Sequence, residues 1–335
     1  MQTKKAVINT LNDEYRSTFE EMGFVKLKGL LSQEEVSILR AAMGLALETF
    51  NQSPNSYNVT AAADSFWKEE AANDDQGSSQ HDLATLGTAV RNSRLPRLID
   101  EPTDGVPRGN FLLDTGIWRR APQLATFALF GKLPSLTADL LGASRIRYYD
   151  DQMFIKEAGA IDRVAFHQDV PYFHLDGASG CVFWIPLDSV KAGGGRIGYI
   201  PGSHRWKQTF KPNIFVSEMP FPGAEGIDMP RIEADPESYN VQYVDAEPGD
   251  VLVHHFLTVH GSEGNSRGAR RRAFSLRYCD AELRYRHRVG APAQPLHKQD
   301  VKDGDVLDDR FHPLVWPPAN DNDGHLAALA RRRVA

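Results

Sequence analysis

The chain changes its pattern at Arg145. From there on, short β-branched and aromatic runs recur (IRYYDDQMFI, RVAFHQDVPYF, CVFWIPLD, GYIPGS, VQYVDA, DVLVHHFLTVH, RRAFSLRYC), separated by Gly, Pro, Asn and Asp. Regularly spaced short strands with turn residues between them favour a β-sandwich or barrel over βαβ units. Upstream, the chain reads as helical. Ser32-Gln33-Glu34-Glu35 has the form of a capping box, and Val36, Leu39, Met43 and Leu47 follow at helical spacing. A second apolar helical stretch runs from about Gln123 to Leu141, whereas the polar segment 55–82 reads as a long loop. Residues 205–240, rich in Pro and Glu, read as an insertion between strands. The expected fold is mainly β with flanking helices, built on a double-stranded β-helix (jelly-roll, cupin-like) core. One domain over 1–335 is expected: a mostly helical buttress (1–142), the core (145–290, insertion 205–240) and a C-terminal tail (291–335).

Composition narrows the function classes. The net charge of -6 over 335 residues gives no electrostatic case for nucleic acid or an acidic membrane. Arg331-Arg332-Arg333 read as a solvated terminus. Cys181 and Cys279 each lie inside an apolar strand-like run, so two buried free thiols are expected rather than a disulfide. The opening MQTKKAVINTLNDEY lacks the apolar core of a secretory signal, and no apolar stretch reads as long enough to span a bilayer. The expectation is a cytoplasmic enzyme acting on a small molecule, with no nucleic-acid or membrane partner. The sequence does not give an oligomeric state.

One strand carries chemistry. In Val164-Ala165-Phe166-His167-Gln168-Asp169-Val170, residues two apart point to the same face, so His167 and Asp169 can reach one metal. An imidazole and a carboxylate supply two legs of the 2-His-1-carboxylate triad, which leaves positions open on Fe(II). A polar pair at a strand end has the same sequence signature, and His174-Leu175-Asp176 repeats it before an Asp-Gly turn. Candidates for the third leg are His254, His255 and His260. The first two are adjacent and face opposite ways, while His260 stands where its strand gives way to the turn-forming Gly261-Ser262-Glu263-Gly264-Asn265. On the following strand Phe274, Leu276 and Tyr278 share one face, and Arg271, Ala273, Ser275 and Arg277 share the other. A guanidinium facing such a metal has a use, because it pairs bidentately with the far carboxylate of a chelating dicarboxylate. Three consecutive arginines also suit a solvated strand edge.

These residues resemble the phytanoyl-CoA dioxygenase family of Fe(II)/2-oxoglutarate oxygenases. The matching elements are His167-Gln168-Asp169 followed by Tyr172 and Phe173, and the turn His260-Gly261-Ser262 with Asn265. Arg271 stands 271 − 260 = 11 residues beyond the distal histidine, the family spacing. Phe183-Trp184-Ile185-Pro186-Leu187-Asp188, Pro201-Gly202-Ser203-His204-Arg205 and the opening Phe19-Glu20-Glu21-Met22-Gly23-Phe24-Val25 are also similar. The resemblance implies that His167, Asp169 and His260 bind Fe(II), and that Arg271, assisted by Ser262, holds the distal carboxylate of 2-oxoglutarate. It also places Trp184, Met153 and Lys156 at the co-substrate pocket, and leaves His204 a structural role. It implies oxidation of an unactivated C–H bond with O2, hydroxylation above all, as 2-oxoglutarate becomes succinate and CO2. Related halogenases replace the carboxylate ligand with a small residue, so Asp169 favours hydroxylation. Tyr172, Phe173 and the insertion aromatics Trp206, Phe210 and Phe215 suggest a partly apolar substrate pocket. Two rival readings remain: a 2-oxoglutarate-independent cupin-type metalloenzyme, and a non-catalytic sensor on the same fold.

Overall fold

The computed structural model describes residues 11–75, 95–291 and 301–318. Five α-helices occur among them: α1 Asp13–Met22, α2 Gln33–Glu48, α3 Val59–Asp75, α4 Pro122–Phe130 and α5 Leu133–Leu141. The strands are β1 Phe24–Leu27, β2 Tyr57–Asn58, β3 Phe111–Thr115, β4 Ile146–Lys156, β5 Val164–His167, β6 Leu175–Asp176 and β7 Gly180–Pro186. They continue with β8 Ile197–Tyr199, β9 Gln242–Val244, β10 Val251–His255, β11 His260–Ser262, β12 Arg271–Asp280, β13 Arg284–Tyr285 and β14 Leu314–Trp316.

The strands form an eight-stranded sheet, ordered β1-β10-β7-β12-β4-β3-β2 with β14 also on β4, and a four-stranded sheet, β5-β11-β8-β9. Side-chain alternation explains how the layers stack. On β12, Phe274, Leu276 and Tyr278 pack with helical residues such as Leu39, Met43, Leu124 and Leu136. On the opposite face Ala273, with Trp184 and Leu252, packs against Ile197 and Tyr199 of the smaller sheet. Helices cover one face of the large sheet and the small sheet covers the other, as expected of a jelly roll.

Local chemistry sets the helix ends. Asn12 caps α1 through a hydrogen bond from Glu14 N, and Ser32 and Glu35 form a complete capping box on α2. The apolar stretch 122–141 is not one helix; it turns between Phe130 and Leu133, with proline in the first turn of each half. Contrary to expectation, Pro122–Leu141 is by length and composition long and apolar enough to cross a membrane, with an 18-residue window of mean hydropathy 1.2, and 67% of that window is buried inside the protein. The polar segment expected to be a loop contains α3 instead. Asn58 Oδ1 accepts from Ala61 N, and Val59 and Ala63 bury against Phe111 and Leu113. Its alanines favour helix strongly enough to outweigh the polar composition. Residues 76–82 of that segment, the N-terminal decapeptide and Arg331-Arg332-Arg333 lie outside the described residues. Both cysteines are buried and free.

Candidate metal and co-substrate site

β5 ends at His167, and the chain enters a 3-10 turn at Val170–Tyr172. Asp169 has φ −76° and ψ −38°, so it does not share a strand with His167; alternation along one strand is not what aligns them. The turn brings its carboxylate back, leaving Asp169 Oδ1 3.8 Å from His167 Nε2. The run 251–260 likewise is not one strand. It divides into β10 in the large sheet and β11 in the small one, with a turn at Phe256-Leu257. β11 pairs His260 in register with His167, ring centroids 4.4 Å apart. One ligand atom from each of His167, Asp169 and His260 falls within 4.8 Å of the other two, all three residues buried.

The two histidines are oriented for a metal. His167 Nδ1 lies 2.8 Å from the Ala165 carbonyl, and His260 Nδ1 lies 2.9 Å from the Thr258 carbonyl. A carbonyl can only accept, so this hydrogen-bond network assigns the proton to Nδ1 in both rings and leaves each Nε2 lone pair free. Burial pulls both rings down to about 4, helped at His167 by His260 and at His260 by His254. They are therefore neutral at pH 7, the state a metal ligand needs. Burial alone would raise Asp169, but the hydrogen bond from His254 and the neighbouring His260 and Arg277 hold it well below the usual carboxylate range. His254 Nε2 is 3.3 Å from Asp169 Oδ2, and its Nδ1 is 3.1 Å from Tyr199 Oη. His254 is thus a support for the carboxylate, a role its sequence position next to His255 did not reveal.

Arg271 faces the same pocket from β12, with Trp184, Ser262 and the triad. It is 3% exposed, and its Nη2 donates to the Gly195 carbonyl at 3.2 Å. Its Nε and Nη1 are buried with no hydrogen-bond partner. Burial pulls the group down to about 10, opposed by Asp188, so it stays charged at neutral pH. A buried guanidinium with two free N–H groups beside a His-His-Asp centre fits a metal-bound dicarboxylate. Gly195 makes this possible: at φ +78°, a Cβ there would come within 2.8 Å of Arg271 Nη2. The run Gly193-Gly194-Gly195 was the available sequence signal. Trp184 lies under Arg271, guanidinium carbon to ring centroid 5.6 Å. Lys156 Nζ donates to Ser262 Oγ at 3.0 Å and to the carbonyls of Asp162 and Glu263, so it positions Ser262. Burial, with Arg271 adding to it, holds Lys156 well below the usual lysine range. Asn265 fixes the following turn, its Nδ2 within 3.1 Å of the carbonyls of Lys156, Glu157 and Ala269.

Other expected site residues lie elsewhere. Met153 is buried in the core on the helix side of the sheet; three positions from Lys156, it cannot share that residue's face, and Phe154 takes the pocket side. Trp206 packs edge-on against Phe210 in a separate apolar cluster, away from the pocket. The insertion instead contributes Phe215, held at φ 34° with its ring 5.7 Å from His167. Tyr172 stands edge-on to His167 and bonds to Asn213, so it braces His167 rather than lining the pocket. Phe173 lies beneath Arg277, which does line it, guanidinium carbon to ring 5.3 Å. His204 contacts the Glu20 carbonyl, a structural role.

A family model described as Phytanoyl-CoA dioxygenase (PhyH) matches residues 19–273. A phytanoyl-CoA dioxygenase domain-containing protein 1 homolog of Caenorhabditis briggsae is 21% identical, over 80% of this chain and 91% of that protein. A phytanoyl-CoA dioxygenase of Arabidopsis thaliana is 23% identical, over 82% of this chain and 91% of that protein. Among solved structures, the non-heme alpha ketoglutarate dependent carbocyclase SnoK from nogalamycin biosynthesis superposes with a TM-score of 0.59 at 21% identity, covering 92% of this chain and 98% of that one. The apoform of EctD from S. alaskensis gives 0.56 at 17% identity, covering 90% of each. These likenesses show the fold, the double-stranded β-helix.

Proposed function

Because the chain belongs to the phytanoyl-CoA dioxygenase family, we propose that its pocket hydroxylates an unactivated C–H bond of a small organic molecule. The protein is an Fe(II)- and 2-oxoglutarate-dependent oxygenase that uses O2. In this reading His167, Asp169 and His260 hold the Fe(II), and Arg271 with Ser262 receives the far carboxylate of 2-oxoglutarate. The observation that carries the reading is the pair of unpartnered N–H groups on buried Arg271, in the same pocket as a triad whose Nε2 atoms are free. The cupin-type and sensor alternatives have no comparable support.

When bound, the iron and its co-substrate supply oxygen activation, with 2-oxoglutarate leaving as succinate and CO2. The chain does the rest by placement. The Ala165 and Thr258 carbonyls set the histidine tautomers, and His254 fixes Asp169. Arg271, anchored on Gly195, sets the orientation of the co-substrate. Phe154, Val164, Val182 and Phe215 give the rest of the wall an apolar character that keeps water away from the reacting carbon. Asp169 occupies the carboxylate position, which favours hydroxylation over halogen transfer.

The test is substrate-stimulated succinate release across a small-molecule library, run in parallel on wild type, His167→Ala and Asp169→Ala. Both variants are expected at background. Wild-type turnover in either would overturn the ligand assignment.

A further inference from the structure

A second arginine on β12 is built like Arg271, and beyond the charge by which it helps hold Asp169 low the chemistry above gives it no part. Arg277 lies six residues on, on the same pocket face, with Ser275 between them. That spacing separates the two Cα atoms by about 20 Å in extended backbone. Their surroundings are alike. Arg277 is 7% exposed, and its guanidinium lies over an aromatic ring, Phe173, as that of Arg271 lies over Trp184. It makes one side-chain hydrogen bond, from Nη2 to the neutral Gln152 Oε1, and its buried Nε has no partner.

No carboxylate among the described residues is in ion-pair contact with it, although Asp150 and Asp169 both feel its charge. Asp150, opposite it on β4, forms no ion pair with it, and Asp169 is engaged by His254. Holding a charged guanidinium out of water with no anion in direct contact is costly, and the cost falls when an anion pairs with it. Arginine suits this better than lysine, since its planar fork matches two oxygens at once. Lining the same pocket, Phe154 and Phe215 offer apolar wall.

We propose that Arg277 is a specificity-determining residue that receives the carboxylate of the substrate, and that the substrate is a small organic acid whose apolar body lies against Phe154 and Phe215. This deepens the oxygenase reading and rests on it.

The test uses full-length protein loaded anaerobically with Fe(II) and saturating 2-oxoglutarate, so that Arg271 is already occupied. Acetate, acetamide and inorganic phosphate are titrated in, with binding followed by calorimetry and by the visible band of the loaded protein. Acetate is expected to bind at least about tenfold more tightly than acetamide, from the strength of a charge-assisted pair. Arg277→Gln should weaken acetate about tenfold and Arg277→Lys by less, while 2-oxoglutarate affinity stays within about twofold in both. Equal binding of acetate and acetamide by the wild type would overturn the proposal, without reliance on a variant that folds. So would acetate binding unchanged in a folded Arg277→Gln, or a preference for phosphate over acetate. Failure of the oxygenase reading looks different: no visible band forms on loading, before any probe is added.

Discussion

Arg271 and Arg277 stand at the two ends of one pocket face, each buried and each over an aromatic ring, yet they are held by different kinds of group. The carbonyl of Gly195 fixes Arg271, beside a Ser262 held by Lys156 and a turn tied to the backbone through Asn265. Gln152 fixes Arg277, whose guanidinium lies over Phe173, and Phe173 packs in one apolar cluster with Tyr172, Phe256 and the insertion residue Phe215. At one end the guanidinium is anchored on a backbone carbonyl, at the other on a side chain. A main-chain cradle is open to alteration at fewer positions, chiefly Gly195, than a side-chain wall is. The co-substrate end is therefore suited to remain constant while the other end is retuned.

Substitutions at the two ends should separate cleanly. Arg271→Gln is expected to raise the 2-oxoglutarate concentration for half-maximal succinate formation by about 10- to 100-fold, the worth of a charge-assisted pair in a buried site. Arg277→Gln should leave that concentration within about twofold; the reverse pattern would break the comparison. Between the ends, His254→Phe removes the bond to Asp169 and should weaken Fe(II) binding about tenfold, measured against a competing chelator. His254→Gln, which keeps a donor, should recover part of the loss. The smallest effect belongs to Trp206→Leu, which lies outside the pocket: about 1 kcal/mol of stability by denaturant unfolding, with 2-oxoglutarate requirement and turnover within about twofold.

The sequence carried much of this because strand runs and ligand types are local signals. Alternation placed Ser275, Arg277 and Arg271 on one face of β12 and Phe274, Leu276 and Tyr278 on the other, and the sheet agrees. The same arithmetic rules out a shared face for Met153 and Lys156, three positions apart. What stayed hidden depends on the path of the chain. Asp169 reaches His167 through a turn and His260 through a change of sheet, neither of which alternation encodes. α3 was masked by polar residues on an alanine-rich segment, and the choice of Phe215 over Trp206 was decided by how the insertion folds back.

Anaerobic titration of 2-oxoglutarate into the Fe(II)-loaded protein tests the central claim most directly. A visible charge-transfer band is predicted in wild type, absent in Asp169→Ala, and reached only at higher 2-oxoglutarate in Arg271→Gln. No band in a folded, iron-loaded wild type, or an undiminished band in Asp169→Ala, would contradict it.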